Sequence, residues 1–243
     1  MAEAEAGVVS DIWRFPVKSF GGERLRRAFL GPFGLLGDRR HALVAPDGVP
    51  LTARRTPRLL AFSARYPDPG GGEAEVVTPS GVRMPAGDPA LPALVAAEIG
   101  REPEAPPLAV LRSPAGFHDA APVHVVTEPS LAQVGAWVGD ELDRRRFRAN
   151  LVVDPGHAEP FPEAGWPGRA LVVGEAVLEV VVPTERCAVT TWDPDTLERD
   201  TRVLAGIARN RDNFFGVYAR VQRPGWVAVG DRVRLVPAGA PVS

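Results

Sequence analysis

Apolar positions along this chain fall in short runs, cut apart by turn-forming residues. Residues 8–17, 25–30, 41–45, 59–66 and 73–78 are rich in β-branched, leucine or aromatic side chains. Gly21-Gly22, Pro46-Asp47-Gly48 and the Pro/Gly stretch at 67–72 punctuate them, which is the pattern of short strands. A second set covers residues 123–127, 151–153, 170–173, 176–182, 214–221 and 232–236. Gly174-Glu175 between two of these runs predicts a tight hairpin. Three segments change period. Residues 88–99 are Ala/Leu-rich, 130–147 place Leu131, Val134, Val138 and Leu142 at helical spacing, and 201–210 put Val203, Leu204, Ile207 and Ala208 on one face. Thr127 or Ser130 is available to cap the second helix. Strands do not alternate regularly with helices, so a doubly wound α/β fold is excluded. A mainly β architecture with a barrel-like core, a β-rich N-terminal domain and a few helices is predicted. The Pro- and Ala-rich stretch from about residue 84 to 116 marks a seam. It divides the chain into an N-terminal β domain (1–85), a connecting segment (86–114) and a core domain (115–243).

Composition narrows the partners. The chain has 243 residues, 45% of them hydrophobic, and 28 basic against 30 acidic side chains. That is enough chain for a substantial core, and too little net charge for a general nucleic-acid or anionic-membrane binder. The acidic first residues lack the regions of a signal peptide, and no run approaches the roughly 20 apolar residues of a membrane span. A cytoplasmic location, without nucleic-acid or membrane partners, is the expectation. No phosphate-loop or dinucleotide glycine fingerprint is present; Gly34-Leu-Leu-Gly37-Asp38-Arg39 fits neither pattern.

Two counts of one carry the chemistry. Cys187 is the only cysteine, which excludes an internal disulfide, a cysteine-built zinc site and a four-cysteine iron–sulfur cluster. It follows an apolar run and a proline, and Arg186 precedes it, a setting that favours a thiolate. A small buried hydrophobe, a nucleophile based on one of His41, His118, His124 and His157, and a soft-metal ligand all remain open. Lys18 is the only lysine, and in Phe15-Pro16-Val17-Lys18-Ser19 it stands beside a hydroxyl directly after a strand. With Arg39 it suits a phosphate-bearing ligand, and a solvated surface charge is the plainer alternative. Arg144 and Arg145 sit where a helix is expected to end and favour its dipole, whereas Arg148 and Asn150 precede a buried-looking run.

Taken in order, these segments resemble the MOSC family, named for the C-terminal domain of molybdenum-cofactor sulfurase. The resemblance runs through Phe15-Pro-Val-Lys-Ser19, Gly34-Leu-Leu-Gly-Asp-Arg39, Leu51-Thr-Ala-Arg54 and Pro57. It continues in Val123-His-Val-Val-Thr127-Glu-Pro-Ser130-Leu131, Arg146-Phe-Arg-Ala-Asn150, Trp166, Glu185-Arg-Cys-Ala-Val-Thr-Thr191, Phe215-Gly-Val-Tyr218 and Val229-Gly-Asp231. It implies a MOSC β-barrel core preceded by the N-terminal β domain of the amidoxime-reducing subgroup. In that subgroup the position of Cys187 supplies the protein's thiolate to molybdenum, and the pterin dithiolene supplies further sulfurs. Lys18, Ser19, Arg39, Thr127, Ser130, Arg148, Asn150 and Arg186 fall on the subgroup's cofactor contacts. Two departures stand out: Ala149 replaces a common proline, and Glu163-Ala164-Gly165 replaces adjacent acids before Trp166.

The implied activity is a molybdenum-cofactor-dependent reductase of N-oxygenated small molecules. It would draw electrons from a separate ferredoxin-, flavin- or cytochrome-type donor, because one cysteine holds no cluster. A persulfide carrier working with a pyridoxal-phosphate enzyme and a non-enzymatic cofactor-binding module are the alternatives.

Overall fold

The computed structural model describes residues 3–68, 72–156 and 159–239. The expected turn at 67–72 lies partly outside them. The chain opens with β1 (Ala4–Arg14), then β2 (Glu23–Leu25), β3 (Arg27–Gly31), β4 (Gly34–Leu35) and β5 (His41–Val44). Residues 57–61 form a 3-10 turn started by Pro57, in place of the strand expected from residue 59; Leu59 and Leu60 are both buried, which no half-exposed strand would do with neighbours. Strands β6 (Ser63–Arg65), β7 (Glu75–Val77) and β8 (Arg83–Pro85) form a small meander. Helix α1 (Leu91–Glu98) and β9 (Ala109–Arg112) follow, and β9 pairs antiparallel with β5. The stretch read as a connection is therefore folded: Leu91 and Val95 bury themselves in one cluster with Phe20, Leu43, Phe62 and Val76.

The rest of the chain builds the larger core. It comprises β10 (Val123–Thr127), α2 (Glu128–Val138), β11 (Leu151–Asp154), β12 (Arg169–Val173), β13 (Ala176–Glu185), α3 (Thr201–Arg211), β14 (Phe214–Arg223), β15 (Gly225–Ala228) and β16 (Arg232–Pro237). Strand order β11-β10-β14-β13-β12-β16-β1 closes through pairing of β1 with β11, giving a seven-stranded barrel with β2 added beside β1. Closure leaves few exposed edges. All pairings in the barrel are antiparallel except β10–β11, whose parallel crossover is α2. The first strand of the N-terminal part is thus a stave of the barrel.

Alternate residues of all seven strands, among them Val9, Val125, Leu151, Leu171, Leu178, Val217 and Val233, fill the interior. Each fully buried aliphatic side chain contributes on the order of 1.5–3 kcal/mol. On the outer face, Val126 and Val152 pack under α2 and α3 through Leu131, Val134, Val203 and Ile207. The hairpin at Gly174-Glu175 forms as expected, with Val173 paired to Ala176 and Gly174 at φ 54°. Helix α2 is shorter than expected, because Gly139 takes the left-handed conformation at its C-terminus and stops it. Arg144 and Arg145 therefore lie beyond the helix on a separate 3-10 turn and make ion pairs, Arg144 with Glu128 and Arg145 with Asp143 and Asp195. No described helix is long and apolar enough to cross a membrane.

Candidate functional site

The site begins where β1 ends. The Phe15 amide donates to Asp38 Oδ1 (2.7 Å), and the Arg39 amide donates to the Phe15 carbonyl (2.7 Å). The Lys18 amide donates to the His41 carbonyl (2.8 Å), which zips residues 15–20 onto residues 37–41. Gly37 makes the turn possible: its φ is +87°, and a Cβ there would lie 2.6 Å from the Tyr66 ring. Asp38 is fully buried and holds the Arg39 guanidinium through Oδ2. From the core side, Arg148 Nη1 donates to the Phe20 carbonyl (2.7 Å), and Arg39 Nη2 donates to the Arg148 carbonyl (3.2 Å).

These segments and the end of β13 surround a cavity of about 420 Å³. Lys18, Ser19, Arg39, Arg148, Arg186 and Cys187 line it, so six of the nine residues singled out from the sequence meet there. Cys187 is partly exposed rather than a buried hydrophobe. Lys18 and Arg39 are only 13% and 14% exposed, which removes the reading of solvated surface charges. Arg54 joins them, making five cations against the carboxylates Asp119 and Glu185. Arg54 was visible in the Leu51-Thr-Ala-Arg54 motif but had no role assigned. Its hydrogen bond to the Cys187 sulfur holds its guanidinium above the ordinary value. Phe147, Pro183, Phe214 and Tyr218 supply an apolar and aromatic wall.

The other three residues stand behind the cavity. Asn150 is buried; its Oδ1 accepts from the His124 amide (3.2 Å) and faces Arg39 Nη1 (3.4 Å), and its Nδ2 donates to the Trp13 carbonyl (3.2 Å). It positions Arg39. Thr127 and Ser130 instead turn to Glu163, each hydroxyl donating to Oε2 at 2.8 Å. Thr127 stands at the N-cap of α2 but makes no side-chain cap bond. Glu163 is 1% exposed, and burial pushes its carboxyl up. The sequence offered no signal that this acid would bind the two hydroxyls rather than a ligand.

Burial controls the remaining charges. The Arg148 guanidinium is pushed down to about 9 by burial and then by the charge of Arg39. Arg186 is lowered by burial as well; its Nη2 donates to the Phe147 carbonyl (2.8 Å) and its Nη1 lies 3.3 Å from His124 Nε2. His124, fully buried, is held well below its ordinary value by burial and by Arg186, so it is neutral. Burial raises the Tyr218 phenol and keeps it protonated. Burial would raise Asp119 too, but Lys18, whose Nζ donates to it at 3.0 Å, holds it below its ordinary value. Arg148 Nη2 and Arg186 Nε are buried without a partner among the described residues. Ser19, Arg39 and Arg148 also take left-handed backbone conformations, at φ 70°, 50° and 54°. Each such residue costs on the order of 1–3 kcal/mol, and such strain gathers where a fold presents groups to a ligand. No group of three or more metal-ligating side chains occurs among the described residues. His157, one of the four candidate bases, lies outside them.

The closed β barrel thus sets one thiol and four guanidinium groups around a single cavity, a donor set whose chemistry suits an anionic ligand carrying a soft metal. The MOSC domain matches residues 113–234, and the MOSC N-terminal beta barrel domain matches residues 6–89; the chain belongs to the MOSC family. Human mitochondrial amidoxime-reducing component 1 is 25% identical over 296 residues, spanning 96% of this chain and 84% of the relative. Bovine mitochondrial amidoxime reducing component 2 is 25% identical over 283 residues, spanning 94% and 83%. Among solved structures, the YUAD protein from Bacillus subtilis shares the fold, with a TM-score of 0.51 at 12% identity over 96% of each chain.

Proposed function

We propose that this chain is a molybdenum-cofactor-dependent oxidoreductase that reduces N-hydroxylated compounds such as amidoximes, hydroxylamines and N-hydroxylated bases. The observation that carries the proposal is the placement of the only cysteine in a cavity lined by five cations. The donor set fits the phosphorylated, sulfur-rich cofactor. A thiolate suits molybdenum, guanidinium forks suit a phosphate, and Arg186 Nε is a buried donor with no partner among the described residues. When bound, the group would supply two-electron removal of oxygen from nitrogen.

The chain's own residues do the rest. Cys187 is the metal ligand, and Lys18, Ser19, Arg39, Arg148 and Arg186 anchor the cofactor. Asn150 aligns Arg39, while Thr127 and Ser130 act one layer further out, through Glu163. Converting N–OH to N–H consumes two electrons and two protons and releases one water. Tyr218 Oη, protonated and on the cavity wall, can relay a proton to the leaving oxygen and regain it from solvent, which also supplies the second proton. The sequence parts 1–85 and 115–243 both contribute: Lys18, Ser19 and Arg39 come from the first, Arg148, Arg186 and Cys187 from the second. Electrons come from a separate donor protein of ferredoxin, flavin or cytochrome type, in a cytoplasmic setting.

The relatives' names support a reductase of amidoximes. The test is expression in a cofactor-producing host, elemental analysis, and benzamidoxime reduction with a chemically reduced artificial donor. Turnover that tracks molybdenum content is the expected result. A mass adduct of about 32 Da on the Cys187 thiol without molybdenum, or cofactor binding without turnover, would replace this reading with a persulfide carrier serving a pyridoxal-phosphate enzyme or a binding module.

A further inference from the structure

Behind Arg148 lies a second cavity, of about 270 Å³, which meets the first only at Arg148 and Val189. Its walls combine Phe15 and Phe62 from the N-terminal part with Trp192, three residues after Val189. Its cations, Arg145, Arg146 and Arg148, come from the 3-10 turn Arg144–Phe147 and the residue after it, and Asp195 is its one carboxylate among the described lining residues. Arg145 is fully engaged, by Asp143 and by Asp195 at the cavity's edge. Arg146 is not. Its side chain is only 9% exposed; Nη2 donates to Asp193 at 2.9 Å, but Nε and Nη1 are buried with no partner among the described residues. Arg148 adds its own unpartnered Nη2, and the one hydrogen bond its guanidinium makes is to the Phe20 carbonyl, so no carboxylate pairs with it directly.

Three orphaned donors on two guanidiniums, with one charge lacking a direct counter-ion, call for an anion with several acceptor oxygens. Water would satisfy the donors but leave the charge. We propose that this cavity is a second anion site that takes the phosphate group of a small phosphate ester, with Arg146 and Arg148 as its donors and the Trp192, Phe15 and Phe62 side chains walling the ester's apolar or ring portion. Arg146 does not line the Cys187 cavity, so the site is separable from the anchoring of a molybdenum cofactor there. The phosphate could belong to a free metabolite or to an extension of the cofactor itself, since the two cavities adjoin.

The test uses cofactor-free full-length protein titrated with inorganic phosphate and with a nucleoside monophosphate, read by calorimetry and phosphorus NMR. Two phosphate equivalents are expected for the wild type. Arg146→Met should weaken one by about tenfold or more while sparing the other, as the loss of a charge-assisted contact predicts. Arg146→Lys, which keeps the charge and a donor toward Asp193, should weaken the same equivalent less and serves as the read-out if the methionine variant does not fold. A wild type in which no phosphate equivalent responds to either substitution would overturn the site, whether or not the Cys187 cavity takes phosphate as well. Phosphate that still titrates the holoprotein, whose extracted cofactor has the mass of the nucleotide-free form, assigns the site to a separate ligand. A nucleotide-bearing cofactor with no remaining phosphate equivalent assigns it to the cofactor's extension. Neither outcome depends on whether the protein reduces amidoximes.

Discussion

Replacing Arg148 with methionine should leave the cofactor-free protein about as stable as the wild type. Truncating a buried, hydrogen-bonded side chain ordinarily costs about 1–3 kcal/mol. Arg148 differs because its guanidinium is buried beside Arg39 and pushed down to about 9. Holding it charged at neutral pH therefore costs the empty fold on the order of 4–5 kcal/mol. Against this stand one charged hydrogen bond to the Phe20 carbonyl, about 1.5–3 kcal/mol, and the stacking of the guanidinium 4.3 Å over the Phe15 ring, about 1–2 kcal/mol. Methionine keeps the apolar stem and its packing. The balance runs from about 1 kcal/mol against the variant to about 2.5 kcal/mol in its favour, or at most a few degrees in melting temperature for a chain of this size. Urea unfolding at pH 7 followed by tryptophan fluorescence measures it. The same variant should retain far less cofactor than the wild type. A destabilisation above about 2 kcal/mol would refute the reasoning, because Arg148 would then be a structural residue and not a binding group held against the preference of the empty fold.

Arg54→Met removes the hydrogen bond to the Cys187 sulfur, so alkylation of that thiol by iodoacetamide at pH 7 should slow several-fold without loss of fold; an unchanged rate would remove Arg54 from the site. Gly37→Ala places a Cβ 2.6 Å from the Tyr66 ring at a φ of +87°, and should cost about 2 kcal/mol or more in chemical denaturation. His118, lowered to about 4 chiefly by burial, binds its proton less readily folded than unfolded. Stability should therefore fall as pH drops from about 6.5 toward 4, with His118 contributing about 3 kcal/mol of that loss, and His118→Gln should flatten this limb of the stability curve. An identical acid limb in the variant would contradict it.

The barrel was legible because many short apolar runs, such as residues 123–127, 170–173 and 176–182, are cut apart by Gly and Pro, a local signal that needs no tertiary information. The hairpin at Gly174 was legible for the same local reason. Closure of the barrel by β1 was not, since strand order depends on pairings between residues more than a hundred positions apart, such as Ile12 with Leu151. The strand at Ala109–Arg112 was hidden because three of its four residues are exposed and only pairing with β5 defines it. Within the site, Lys18, Arg39 and Cys187 stood out by rarity and motif. Thr127 and Ser130 carried the same motif signal yet bond to Glu163, because a buried carboxyl 33 and 36 residues away competes for their hydroxyls. Arg146 opened the Arg146-Phe-Arg-Ala-Asn150 motif but had no role assigned; one residue in a run of arginines reveals nothing of its burial until Asp193 pairs with it.

The central claim is that the Cys187 sulfur binds molybdenum in a cavity whose cations hold the rest of the cofactor. Molybdenum and cysteine-dependent content should be measured together, by elemental analysis of the wild type and of Cys187→Ser purified from a cofactor-producing host, with circular dichroism to verify the fold. About one molybdenum per wild-type chain and a large loss in the folded serine variant is the predicted result. Equal molybdenum in both proteins, or none in a correctly folded wild type supplied with cofactor, would contradict it.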